Sequence, residues 1–137
     1  WTVYCSEDYA ARHGTPKVRD ELSRHSIIGM KGPMALLPGP RWLKEAAPDA
    51  PVPFSSNSLS NLLHSLRAGL GIATLPCLSG DQERGLVRCM APPPELDSEL
   101  WLIVREDVKA EPAVRAVADF IAGEILANRG VWTGRSH

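Results

Sequence analysis

Phe54-Ser55-Ser56-Asn57-Ser58-Leu59-Ser60-Asn61-Leu62-Leu63-His64-Ser65-Leu66-Arg67-Ala68-Gly69-Leu70-Gly71-Ile72-Ala73-Thr74-Leu75-Pro76 is the stretch whose reading decides the fold. A short apolar run over 52–54 reads as a strand. Small polar residues then offer a helix cap, and Leu59, Leu62, Leu63 and Leu66 fall on one helical face. Gly69 and Gly71 stop that helix, 72–75 supply a second buried strand, and Pro76 closes it. The unit is a βαβ whose helix N-terminus points beyond the first strand. Such an end suits an anion, because the first backbone N–H groups of a helix have no partner inside it.

On the N-terminal side of this unit, 2–5 reads as a strand, 7–13 as a short helix ended by Gly14, 17–24 as a second short helix and 27–30 as a strand. The segment 32–40 holds two glycines and three prolines and reads as a loop, and 41–46 as a short helix carrying Trp42. On the C-terminal side, a turn region over 79–85 leads to a strand at 86–90. Ala91-Pro92-Pro93-Pro94 is a stiff, extended connector. The continuous apolar run 100–104 has the pattern of a strand buried on both faces. Pro112 suits a first helical turn, and Val114, Val117, Ala118, Ile121 and Ile125 line one face of a helix running to about 127, with Gly130 as its stop. Residues 131–137 carry no packing pattern and read as a frayed tail. Strands alternating with helices give the α/β class.

Composition excludes several kinds of protein. With 137 residues, 44% of them hydrophobic, the chain can bury one ordinary core. A net charge of -1 argues against a surface that holds a phosphate backbone, so direct nucleic-acid binding by these residues is not expected. No apolar run approaches the ~18 residues a membrane span needs, and no signal-type segment is present, from which a cytoplasmic location is expected. Cys5, Cys77 and Cys89 are odd in number and contain no Cys-x-x-Cys pair, so they read as reduced, buried thiols rather than a disulfide framework or a zinc site.

No catalytic constellation emerges. Gly69-Leu70-Gly71 follows its helix and precedes its strand, the reverse of a dinucleotide-binding turn, and the third glycine position is Thr74. There is no Gly-x-Ser-x-Gly elbow. His13, His25, His64 and His137 lack metal-ligand spacing, and His64 reads as a solvated helix histidine. Glu106, Asp107 and Glu111 precede the last helix, where negative charge suits the helix dipole. An enzyme, a metal site or a cofactor is therefore not expected.

The central unit resembles the effector-binding domain of LysR-type transcriptional regulators, in which a polar helix start precedes an Ala-Gly-Leu-Gly-Ile-Ala-x-Leu-Pro run. Further signposts agree in order: Tyr4, His13-Gly14-Thr15-Pro16, Asp20-Glu21-Leu22 and His25 before it; Gly85-Leu86-Val87-Arg88, then Glu99 to Val104, and the Val114-Arg115-Ala116 core after it. This resemblance implies a periplasmic-binding-protein-like fold of two lobes joined by two crossover strands, of which the second lobe and the return segment of the first are present. It assigns 1–99 to the second lobe with the first crossover at its start, 100–130 to a return strand and helix of the first lobe, and 131–137 to a tail. It also implies that a winged helix-turn-helix, a linker helix and most of the first lobe lie upstream.

The function implied is a ligand-sensing module of a homo-oligomeric bacterial regulator, a dimer or tetramer. DNA would be held only through the upstream helix-turn-helix, and a small, anionic metabolite would bind between the lobes. Ser55, Ser56, Asn57 and Ser58 match the helix start against which effectors lie in the family. Asn57 carries most weight because its amide can donate to a carboxylate. Cys5 and Ser6, at the end of the first crossover, and Thr74 and Leu75, at the end of the second strand, would border the cleft. The alternative is a solute-binding protein or transport receptor of the same architecture.

Overall fold

A computed structural model describes residues 1–134. It divides into two units, residues 1–97 and the remainder from Ser98.

The first unit is built on β1 (Thr2–Ser6), β2 (Ile28–Met30), β3 (Phe54–Ser56), β4 (Ala73–Leu75) and β5 (Leu86–Arg88). β1 is antiparallel to both β4 and β5, with Thr2 opposite Leu75 and Cys5 opposite Val87. β2 and β3 are parallel, with Met30 opposite Ser56. A parallel bridge between Ile27 and Ile72 joins the two sets, secured by Ile28 N–H to the Ile72 carbonyl at 2.9 Å and Ile72 N–H to the Ser26 carbonyl at 2.8 Å. The strand order is therefore β3-β2-β4-β1-β5, and β2 lies between the two strands of the βαβ unit. Gly71 is required at this seam, since a Cβ there would collide with the Ser26 carbonyl.

All five residues of β1 are buried, as befits a strand covered on both faces. Their alternation sorts the core into two layers. Val3 and Cys5 join Tyr9, Leu22, Ile27, Trp42, Leu43 and Ile72 on one side; Tyr4 joins Ile28, Leu62, Leu66, Ala73 and Leu75 on the other. The first layer is roofed by α1 (Glu7–His13) and α2 (Pro38–Ala46), the second by α3 (Leu59–Arg67) and the short α4 (Cys77–Gly80). Each fully buried leucine of α3 contributes ~1.5 to 3 kcal/mol.

Several boundaries differ from those the sequence suggests. The helix expected over 17–24 is a 3-10 turn, Arg19–Arg24. The segment read as a loop over 32–40 instead forms a 3-10 turn, Gly32–Leu36, and the first turn of α2. Pro38 and Pro40 are accommodated because a helix's first N–H groups need no intrahelical partner. The strand expected over 52–54 is shifted to Phe54–Ser56, so Ser55 and Ser56 belong to the strand and not to the helix start.

In the second unit, 100–104 has no regular secondary structure and pairs with no strand among the described residues, correcting the expected buried strand. Trp101 is 74% exposed and Ile103 85%. α5 (Pro112–Ala127) begins with the proline at its first turn, as expected, and none of its residues is buried. It ends at Ala127, where expected, but Gly130 is not its stop: that residue lies inside a short α6 (Arg129–Thr133). The tail expected over 131–137 is thus helical through Thr133, and Arg135, Ser136 and His137 lie outside the described residues.

Candidate functional site

Because β2, β3 and the start of β4 run parallel, their carboxyl ends share one edge of the sheet, the usual location of ligands in open α/β folds. A pocket of about 100 Å³ opens at this edge. Met30 from the end of β2, Thr74 and Leu75 from the end of β4, and Leu59, Leu62 and Leu63 from α3 form one wall. Trp1, Met34, Leu37 and Pro40 face them. Gly39 lets the start of α2 approach closely: a Cβ there would run into the Trp1 ring and the Thr74 side chain.

The lining is mostly hydrocarbon and thioether, with the Trp1 indole, two hydroxyls from Thr74 and Ser79, and no charged side chain. Ser79 is exposed, whereas Thr74 is only 3% exposed. The Thr74 hydroxyl makes no hydrogen bond among the described residues and is open to the pocket rather than sealed in the core.

At the polar helix start, Ser58 is the cap: its hydroxyl accepts from Asn61 N–H at 3.5 Å. Ser56 Oγ is buried and accepts from Ser58 N–H at 3.1 Å and from the Asn61 amide at 3.3 Å. Ser55 packs against Gly29, whose missing Cβ would lie 2.7 Å from Ser55 Oγ. Asn57 is exposed and its amide has no hydrogen bond among the described residues. Capping by Ser58 therefore leaves the Asn57 side chain uncommitted. The helix closes with Gly69 at φ 69°, its N–H on the Leu66 carbonyl at 2.9 Å, and Leu70 N–H on the Ser65 carbonyl at 3.2 Å, the paired bonds of a Schellman motif.

Thr74 and Leu75 lie in the pocket, beside α3. Cys5 and Ser6 do not join them. Antiparallel pairing sets Thr2, at the other end of β1, against Leu75, and carries Cys5 and Ser6 to the opposite edge of the sheet. There the Cys5 and Cys89 sulfurs are 3.5 Å apart and buried. The hydrogen bond to Cys5, together with burial, pushes the Cys89 thiol well above its ordinary value. Ser6 caps α1, accepting from Tyr9 N–H at 3.1 Å. Sequence reasoning missed the apolar wall of Trp1, Met30, Met34 and Leu37; the one signal was a pair of methionines flanking a strand end, a residue type common at adaptable binding surfaces.

Residues 1–125 match the LysR substrate binding domain. The chain belongs to that family. The LysR substrate-binding fold is also that of the regulatory domain of CrgA, a LysR-type transcriptional regulator from Neisseria meningitidis, at 23% identity and a TM-score of 0.54. That match covers 90% of this chain and 63% of the CrgA chain, so this LysR substrate-binding chain spans under two thirds of its relative. A comparison with curated proteins gives no match. Among the described residues, no helix is long and apolar enough to cross a membrane.

Proposed function

We propose that this chain is the effector-binding module of a LysR-type transcriptional regulator and that its effector enters at the carboxyl edge of the sheet, over the start of α3. Membership of the substrate-binding family supports the regulatory role. The pocket beside α3 is the observation that carries the location. The helix start offers the Asn57 amide and the N–H groups of Leu59 and Ser60, which lie in the first turn, to one anionic group of the effector. Closure of a second lobe over this edge would bury the ligand and bias how a homo-oligomer holds DNA. Residues 1–99 supply the lobe that carries the site, and 100–130 the return to the other lobe. Cys5 and Ser6 have a packing and a capping role in this reading, while Ser55 and Ser56 support the helix start from β3.

The test is a gel shift of the full-length regulator on its own promoter, titrated with each metabolite that raises the protein's melting temperature. A ligand at 100 times its Kd adds ~2.7 kcal/mol of stability, which is readily seen. Altered affinity for DNA or altered footprint is expected. A metabolite that stabilises the protein at this edge yet leaves DNA binding untouched would favour the solute-binding alternative.

A further inference from the structure

Resting on the effector-binding reading, the pocket chemistry narrows what the effector is. We infer that it is a compact, hydrocarbon-bodied molecule, of single-ring or branched aliphatic size, whose one buried polar atom hydrogen-bonds the Thr74 hydroxyl. The same walls disfavour a ligand whose buried part is a polyol, a sugar phosphate or an inorganic ion.

Three observations lead there. The first is the lining: Met30, Met34, Leu37, Leu62, Leu63 and Leu75 have no side-chain N–H or O–H to offer, so a ligand group that hydrogen-bonds with water and comes to rest against them would lose those bonds on entry. The second is size. A dry cavity of about 150 Å³ holds benzene, and a pocket of about 100 Å³ with an open mouth seats most of one ring.

The third is Thr74. Thr74 is 3% exposed as a residue, its hydroxyl has no protein partner among the described residues, and the little surface that hydroxyl keeps is open rather than sealed in the core. Its Oγ1 faces the pocket, and Gly39 removes the Cβ that would otherwise crowd it. A valine of the same shape would suit the apolar wall equally well; the hydroxyl adds one hydrogen-bonding group that a bound ligand can engage in place of water. Thr74 stands at the end of β4 against Gly39, and Leu59 at the start of α3 lines the same pocket, which leaves the ligand's anionic end free to turn toward that helix start.

The test is calorimetry on the full-length regulator and on Thr74→Val, using benzoate, 3-hydroxybenzoate, 4-hydroxybenzoate, succinate and inorganic phosphate as probes. Benzoate is expected to bind at least tenfold tighter than succinate or phosphate. One of the two hydroxybenzoates is expected to gain roughly three- to tenfold over benzoate, a gain that disappears in Thr74→Val while benzoate affinity is unchanged. Unliganded Thr74→Val should melt no lower than the parent protein, because the hydroxyl it removes has no partner to lose.

A lower melting temperature for Thr74→Val would show that the hydroxyl serves the fold, and would overturn the inference. So would a hydroxyl gain that survives in Thr74→Val. Binding of succinate or phosphate alone, insensitive to Thr74→Val but weakened by Asn57→Ala, would overturn the hydrocarbon class and leave the effector reading standing. Binding of no probe would overturn the class as well, while the promoter gel shift judges the effector reading separately.

Discussion

The Tyr9 hydroxyl accepts from Ser26 N–H at 3.2 Å and lies 3.2 Å from His25 Nδ1, to which it donates when the imidazole is neutral and protonated on Nε2. Burial holds the His25 imidazole below its ordinary value; nearby His13 lowers it further and Glu21 opposes both. The unfolded chain therefore takes up a proton near pH 6.5, above the folded value. This contribution to stability is complete above that pH and is lost as pH falls from about 6.5 through the lowered folded value. Urea titrations from pH 7.5 to 5 should show the fall, and it should shrink in His25→Gln. Tyr9→Phe strands the Ser26 donor and should cost ~1 to 3 kcal/mol at neutral pH.

At the same scale, Ser58 and Asn57 exchange the roles a sequence cannot separate. Four successive small polar residues are all good caps, and only the two-residue shift of β3 makes Ser58 the cap and frees Asn57. Ser58→Ala should cost ~1 kcal/mol of stability, whereas Asn57→Ala should stay within ~0.5 kcal/mol yet lose ~1.5 to 3 kcal/mol of affinity for an anionic effector. Denaturation and calorimetry on the two variants would expose the opposite pattern if it held.

Among the elements, α3 was the most legible: its leucine period, its start near Ser58 and its end at Gly69 all follow from local chemistry. Gly69 stands at φ 69° with its missing Cβ facing the Arg12 guanidinium, and Gly69→Ala should cost ~1 to 2 kcal/mol, read as a lowered denaturation midpoint with unchanged m-value. The start of α2 was illegible because Pro38 and Pro40 look like helix breakers, although a first turn tolerates both. The lower edge of the sheet was misjudged for another reason. Strand direction is a tertiary property, and nothing in 2–6 says that β1 runs against β4 and takes Cys5 and Ser6 away from Thr74.

For the whole molecule, composition and the spaced signposts along the chain carried the fold class and the family, but hydrophobicity alone misassigned 100–104. Five apolar residues in a row read as a buried strand, whereas here they stand exposed, as do Val117 and Phe120 of α5. If 100–130 belongs to the other lobe, joining this chain to the preceding part of its regulatory domain should slow hydrogen exchange at the 100–104 amides by two orders of magnitude or more, by about 2.7 kcal/mol of added protection. Exchange that stays fast there would move the lobe boundary.

β1 lies between β4 and β5, and both of these strands are encoded far downstream. Cys5 and Cys89, in contact when folded, are separated by 84 positions. A ribosome adding about 5–20 residues per second needs on the order of ten seconds to deliver β5 after β1 has emerged. For most of that interval five residues destined for full burial have neither neighbour, and the β2–β3 pair and α3 can form before them. The strand made first is thus the last to be enclosed, and its unpaired edges are open for most of the time the sheet is being made.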